Sequence, residues 1–374
     1  MATLRVVDPL LPEVASEFAT SPGNASIIAT TYALAYGVFQ IVYGPLGDRF
    51  GKFLVATAAT AIASLVVAAT ALSSTLFALA CLRFVAGAAT AAVIPLSLAY
   101  IGDITTYEQR QPVLARFMTG TVLGLLFGQV AGGIVMELAG WRSVFLVLGS
   151  GYALVTALLV YELRSPRVRR PDASRRARPG RLLTQYFGIL RERHPRHVLI
   201  AVFLEGFLVN GGLTYLGAFL RIDYALSYST IGLLLAGFGV GGLLFTVVSR
   251  PVIRRLGENG MVRAGGIFVL AGFGLLAFLP EWQLAAIATF LLGFGFFLFH
   301  NTLQTNATQM APDARGSAVS LFAFSLFMGQ GAGVALLGLF VDRVGYFLVF
   351  LFCGIGMLLL GLWFARMILH KPNA

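Results

Sequence analysis

Residues 44–52 read Gly44-Pro45-Leu46-Gly47-Asp48-Arg49-Phe50-Gly51-Lys52. The stretch is short, polar and charged, and long apolar runs flank it at 26–43 and 53–72. One such run would suit the core of a soluble domain, but this chain carries about a dozen, each near the ~20 residues that cross a bilayer. Residues 44–52 therefore read as a tight loop at a membrane face. Composition agrees. The 374 residues are 58% hydrophobic and 11% charged, against about 25% charged in a soluble domain. A membrane β-barrel is excluded by runs that lack period-2 alternation and exceed the ~9–11 residues of a membrane strand.

The expected fold is an all-α polytopic membrane protein of twelve transmembrane helices. The first is apparently shortened to 1–11 and ends at Pro12. The others cover 26–43, 53–72, 76–101, 113–136, 143–161, 197–219, 230–249, 262–279, 284–305, 317–341 and 347–367. Residues 162–196 break the rhythm with eleven Arg and four Pro. They read as a solvated basic linker with a short amphipathic helix in its second part. The expected domains are a six-helix bundle over 1–162, a linker over 163–196 and a second six-helix bundle over 197–374.

The net charge of +11 is no nucleic-acid signal, because the basic residues sit in alternate loops. Arg49, Lys52, Arg110, Arg116, the linker arginines, Arg250, Arg254, Arg255, Arg263 and Arg315 fall on one side, with Arg366 and Lys371 in the tail. The opposite loops hold Glu13, Glu17, Glu137, Arg142, Arg221, Asp223, Glu281, Asp342 and Arg343. Basic loops stay cytoplasmic. The expectation is a multi-pass cell-membrane protein with both termini, and the 44–52 loop, in the cytoplasm.

The halves repeat at an offset of 205 residues: Gly124, Gly128 and Gly133 match Gly329, Gly333 and Gly338. In the same register Glu137 matches Asp342, Gly140 matches Gly345, Trp141 matches Tyr346 and Phe145 matches Phe350. One residue out of step, Arg49-Phe50-Gly51 matches Arg255-Leu256-Gly257, which puts Arg254 in the place of Asp48. Internal repeats of this size are typical of transporters.

The 44–52 stretch resembles the loop signature between helices 2 and 3 of the major facilitator superfamily, Gly-x-Leu-Ala-Asp-Arg-x-Gly-Arg-Arg/Lys, with Gly47 at the small position and Lys52 at the final basic one. Leu82-Arg83-Phe84-Val85-Ala86-Gly87 resembles the helix-4 pattern with its membrane-embedded arginine. Gly124-x-x-x-Gly128-Gln129-x-x-Gly132-Gly133 is similar to the helix-5 antiporter motif, with Gln129 where proline is usual. Arg5-x-x-Asp8-Pro9 and Gly140-Trp141-Arg142 resemble features of drug:proton antiporters. The resemblance implies a secondary transporter with no cofactor and no catalytic residues. It implies a gating latch at Gly44, Gly47, Asp48, Arg49, Gly51 and Lys52, and a proton-coupling role for Arg83. It also places the span-5 glycines at the interface between halves.

On physical grounds alone, Gly120, Gly124, Gly128 and Gly132 form an i+4 stripe that lets a neighbouring helix approach backbone to backbone, and Gly133, Gly329 and Gly333 are further packing positions. Ionisable groups in hydrocarbon need a partner or a cavity. Asp8 stands three residues after Arg5, a spacing that allows an intrahelical pair, and Glu205 lies alone in span 7; both are proton-coupling candidates. His300, Asn301 and Gln304, with Thr305 and Asn306, make span 10 too polar for a lipid face. These three, with Tyr32, Tyr36, Gln40, Gln129, Asn210 and Tyr215, are the cavity-lining candidates.

The function these residues point to is proton-coupled efflux of small amphipathic compounds by alternating access, performed by a monomer with substrate, protons and membrane lipid as its only partners. The alternative on the same fold is a proton-coupled importer or uniporter of a small metabolite. An enzyme finds no support: no nucleotide-binding P-loop is present, and His194 and His197 lack a third metal ligand. Cys81 and Cys353 lie within spans and read as small apolar side chains.

Overall fold

A computed structural model describes residues 2–105, 107–165, 179–311 and 314–369. The described residues are helical throughout, joined by short turns. Eight helices among them are long and apolar enough to cross a membrane. Leu72, Phe77, Leu138 and Val247 are 79–82% exposed, an apolar exterior that only lipid would solvate.

The boundaries have local causes. Ser21, Thr75 and Ser227 cap helices by accepting the amide N–H of Asn24, Ala78 and Thr230, which supplies one of the donors a helix start leaves unpaired. The 44–52 stretch is not a loop. Its helix, Ile27–Phe50, runs straight through Pro45, and the next begins at Lys52. Gly51 alone turns the chain, at φ 99°. Pro12 likewise lies inside its helix, Val7–Glu17, and does not end it.

Three long helices bend at a single glycine: Tyr107–Leu163 at Gly140, Tyr228–Ala277 at Gly257 and Arg315–Leu369 at Gly345. Their φ values of 59–79° with ψ near 180° belong to a region almost closed to residues with a Cβ. A side chain would block these corners, so the span boundaries are set by one residue each. The corners recur with the sequence repeat: Gly140 and Gly345 are 205 apart, Gly51 and Gly257 are 206 apart. Ala19 and Ala225, the two non-glycine residues at positive φ among the described residues, are also 206 apart.

The seventh span is irregular. An α-helix, Arg193–Glu205, passes into a π-helical turn, Gly206–Asn210, before Gly211–Leu213 and Leu216–Tyr224. The fourth span breaks at Ala91–Ala92, between Leu76–Thr90 and Val93–Ile104. Of the expected linker, residues 166–178 lie outside the described residues, and a helix covers Pro179–Arg191.

The halves of the chain are fastened at the end that carries Gly140 and Gly345. There the Tyr228 hydroxyl donates to Glu13 at 2.7 Å, and the single hydrogen of the Tyr215 hydroxyl is shared between Ser26 Oγ across the halves, at 2.8 Å, and the Val334 carbonyl of its own half. Gly133 abuts the Tyr228 carbonyl, and Gly217 abuts that of Asp8. The contact continues inward to Tyr36 on Phe327, 4.3 Å between ring centroids.

Candidate functional site

Two buried polar centres lie between the ends. The first is built on Arg83, which is fully buried. Its Nε donates to the Ile28 carbonyl at 3.2 Å and one Nη to the Thr3 carbonyl at 3.1 Å. The guanidinium lies 4.1 Å above the centroid of the Tyr32 ring, a cation–π contact strengthened by the absence of water. The other Nη is buried without a hydrogen-bond partner. Next to it, Arg5 pairs with Asp8 at 3.3 Å and donates to Asn210 of the second half. Thr3 reaches the Tyr152 hydroxyl at 2.9 Å, and Tyr32 reaches Thr90 at 2.6 Å.

The second centre is Glu205 with His300. Glu205 Oε2 lies 2.8 Å from His300 Nδ1, and Oε1 is buried with no partner. Glu205 is wholly buried while the His300 side chain keeps 16% exposure, so of the pair only the imidazole is reached from outside the protein. His300 stacks on Phe296, centroids 5.0 Å apart, and touches Phe322. Glu205 precedes the π-helical turn and Asn210 ends it. That one turn therefore spaces a residue of one centre from a residue of the other, and π turns in otherwise α-helical spans often mark functional sites.

The structure brings Asp8, Arg83, Tyr32 and Asn210 into the first centre and Glu205 and His300 into the second. Tyr36 stacks on Tyr32 and meets Phe327 across the halves. Gln129 is fully buried with both amide atoms unpartnered. Other candidates serve the packing. Gln40 donates to the Ala91 carbonyl at 3.4 Å, at the break in the fourth span, and the Tyr215 hydroxyl is spent on Ser26 and Val334. Asn301 is half-buried and Gln304 exposed. The Arg5–Asn210 contact is not evident from either residue's local pattern; the two stand 205 positions apart, the repeat distance, and that spacing is the signal.

The span-5 stripe packs differently from the expectation. Gly128 and Gly132 meet Ala2 and Val6 of the first helix, and Gly120 and Gly124 face open space. Gly133, one helical position round from the stripe, is the glycine that touches the second half, against Tyr228 and Gly232. An i+4 spacing defines a face but not the neighbour it meets. Gly329 and Gly333 meet Phe203 and Phe207 within the second half.

At the motif, Lys52 pairs with Asp103 at 2.6 Å and lies 4.0 Å from Asp48, both in its own half. Arg49 covers the Phe50 ring at 5.0 Å. Gly47 sits against Leu96, whereas Gly44 faces open space.

The profile of the Major Facilitator Superfamily matches residues 1–325 and 219–374. The chain belongs to that superfamily. Members are transporters, and this chain is a multi-pass membrane protein that moves small molecules and is not an enzyme. It is 26% identical over 353 residues to an uncharacterized MFS-type transporter of Bacillus subtilis, YceJ, covering 91% of this chain and 86% of that one. It is 30% identical to the efflux pump radE of Floropilus chiversii over 161 residues, 42% of this chain and 30% of radE. The crystal structure of a POT family transporter in complex with a thioalcohol-conjugated peptide superposes with a TM-score of 0.79 at 12% identity, over 100% of this chain and 95% of that one. This establishes the superfamily fold.

Proposed function

We propose that the chain is a proton-coupled exporter of small amphipathic compounds that works by alternating access. Twelve crossings form two six-helix bundles, 1–162 and 197–374, joined by a cytoplasmic linker over 163–196, with both termini in the cytoplasm. The arginine bias of alternate loops supports the orientation, and the recurrence of glycine corners at 205–206 residues supports the two bundles. In this orientation the fastened end faces outward and the structure is an inward-facing state. Lys52 bound within its own half and Asp48 half-exposed fit a disengaged motif latch.

The observation that carries the reading is the Glu205–His300 pair. A carboxylate sunk in the membrane with one oxygen unpartnered, next to a slightly exposed imidazole, is a place where a proton removes the penalty of a buried charge. The His300 imidazole, 2.8 Å from the carboxylate, is placed to hand that proton on. Asp8, held by Arg5, is the second proton site, and Arg83 fixes the field around it. Tyr32, Tyr36, Phe327 and Phe296, buried in this state, would offer aromatic faces to an amphipathic substrate once the halves part. The likeness of 161 residues of the chain to a protein named an efflux pump favours export.

The test is flux in vesicles containing the purified protein, with a panel of fluorescent amphipathic compounds and an imposed pH gradient. Substrate should move against the proton flow. The Glu205→Gln variant should lose gradient-driven accumulation about tenfold or more yet keep substrate-for-substrate exchange. Substrate movement in the direction of the protons would establish the importer instead. Unchanged gradient-driven flux in both Glu205→Gln and Asp8→Asn would remove the proton sites.

A further inference from the structure

Glu137 and Asp342 are a matched pair in the sequence that neither polar centre uses. Each stands three residues before a glycine corner, Gly140 and Gly345. That places each carboxylate in the last turn of its helix, the end where a negative charge is disfavoured by the helix's own dipole. The structure shows what offsets this. Asp342 accepts from Ser21 Oγ at 2.5 Å and from the Gly23 amide at 3.1 Å. Glu137 accepts from the Ser229 amide at 2.9 Å and from the Ser229 hydroxyl. Each acid therefore leaves its own half and docks on the start of a membrane-spanning helix, 22–50 or 228–277, in the other half.

The two contacts are copies of one another. Ser21 and Ser227 are the caps of the receiving helices. Gly23 and Ser229, whose amides are taken, each stand two residues after that cap. Both pairs are 206 apart, like Gly51 and Gly257, while the acids are 205 apart, like Gly140 and Gly345. A Cβ on Gly23 would collide with the Asp342 carboxylate and the Gly338 carbonyl, so the first contact leaves no room for a side chain at its receiving residue. A single acid on a helix start would be unremarked packing. Two acids in the same register, crossing in opposite directions, are a device set by the repeat.

We propose that Glu137 and Asp342 are positioning residues for transport: a pair of crossed clasps that hold the outer end shut and set the ratio of inward-facing to outward-facing protein. The proposal rests on alternating access. Both carboxylates are exposed, so each is worth no more than an ordinary hydrogen bond, about fivefold in the ratio. Acting on the same opening, the two together are worth about twentyfold or more.

The test is a pair of spin-label distances in the full chain carrying Cys81→Ser. Labels at Leu138 and Ile222 report the outer end, and labels at Ile104 and Ile253 report the inner end; all four positions are exposed. Glu137→Gln and Asp342→Asn should each raise the share of long outer and short inner distances about fivefold, and the double variant should exceed either. Gly23→Ala, which crowds the Gly338 carbonyl as well as Asp342, should raise the open share at least as much as Asp342→Asn. Cross-linking Glu137→Cys to Ser229→Cys in the Asp342→Asn background should restore the short outer distance, and reductant should release it. An outer distribution that is the same in the double variant as in the parent overturns the clasps, as does a loss of thermal stability with no change in distance. If no second distance appears in any variant between pH 5 and 8, alternating access itself fails, which is a separate result.

Discussion

Arg83 and Glu205 are both wholly buried, yet their surroundings differ in kind. Arg83 is held by two backbone carbonyls and the face of Tyr32. None of these titrates with a guanidinium, which stays charged at any working pH. Glu205 has one side-chain partner, His300, which is itself part-exposed. The halves thus share a backbone plan, with the same glycine corners at the same spacing, and bury different chemistry in it. The first half holds a guanidinium fixed on backbone carbonyls. The second holds a carboxylate paired with an imidazole, the pair on which the proposed coupling rests. One backbone plan thus accommodates two kinds of buried polar group.

The largest expected effect comes from removing the fixed charge. Arg83→Ala leaves a cavity where the guanidinium and its stem filled the space between Thr3, Ile28, Tyr32 and Phe145, and should cost about 3–5 kcal/mol, seen as a clear fall in melting temperature in detergent. Arg83→Met refills most of that volume, and a buried ion replaced by an apolar group of similar size is often tolerated. It should recover most of the stability and still fail to transport. Glu205→Gln should do the reverse, leaving melting unchanged while proton-driven flux is lost. If Arg83→Met transports normally, the charge is dispensable and the contrast between the centres collapses.

The shared plan predicts an equal, intermediate effect. Gly140→Ala and Gly345→Ala both force a Cβ into a conformation reserved for glycine, at a cost of about 1–3 kcal/mol each. Neither site has a neighbour within 4 Å of the added atom, so backbone strain is the whole effect, and thermal unfolding of the two variants should agree. A large effect at one and none at the other would mean that the corners are matched in sequence but not in mechanical role.

Much of this plan is legible in the residues. The Arg5–Asp8 spacing, the apolar spans and the 205-residue register all mark features the structure contains, because each rests on local periodicity. What is not legible depends on partners. Glu205 and His300 each stand out as polar groups in hydrocarbon, but nothing local joins positions 95 residues apart. The glycine stripe of span 5 declares a face and leaves its neighbour open, and the neighbour is the first helix. The charged 44–52 stretch looks like a loop because Gly, Pro and Asp favour turns. It is helical because a helix that emerges from the membrane tolerates charges, and only Gly51 is needed to turn it. The acids at 137 and 342 carried the strongest unread signal, since a matched charge at the wrong end of two helices asks for a partner.

The smallest effect tests a feature the halves do not share. Glu17 pairs with Arg142 at 2.6 Å and accepts from the Trp141 indole at 2.5 Å, while the residue matching Arg142 at the repeat offset is Phe347. The hydrogen bond from Arg142 holds the Glu17 carboxyl below the ordinary glutamate range, with Trp141 adding to it and partial desolvation opposing it. A carboxylate depressed in the folded state stabilises the fold above its unfolded pKa, near 4.3, and the contribution disappears as the pH falls through the lower folded value. Both side chains are a third or more exposed, so solvent screening keeps the pair to about 0.5 kcal/mol. Thermal stability measured from pH 7 down to pH 3 should decline slightly more in the parent than in Glu17→Gln, and the difference should shrink in high salt. Identical pH profiles would show that the ion pair is a surface contact without weight, and the asymmetry between the halves would then reside in the buried centres alone.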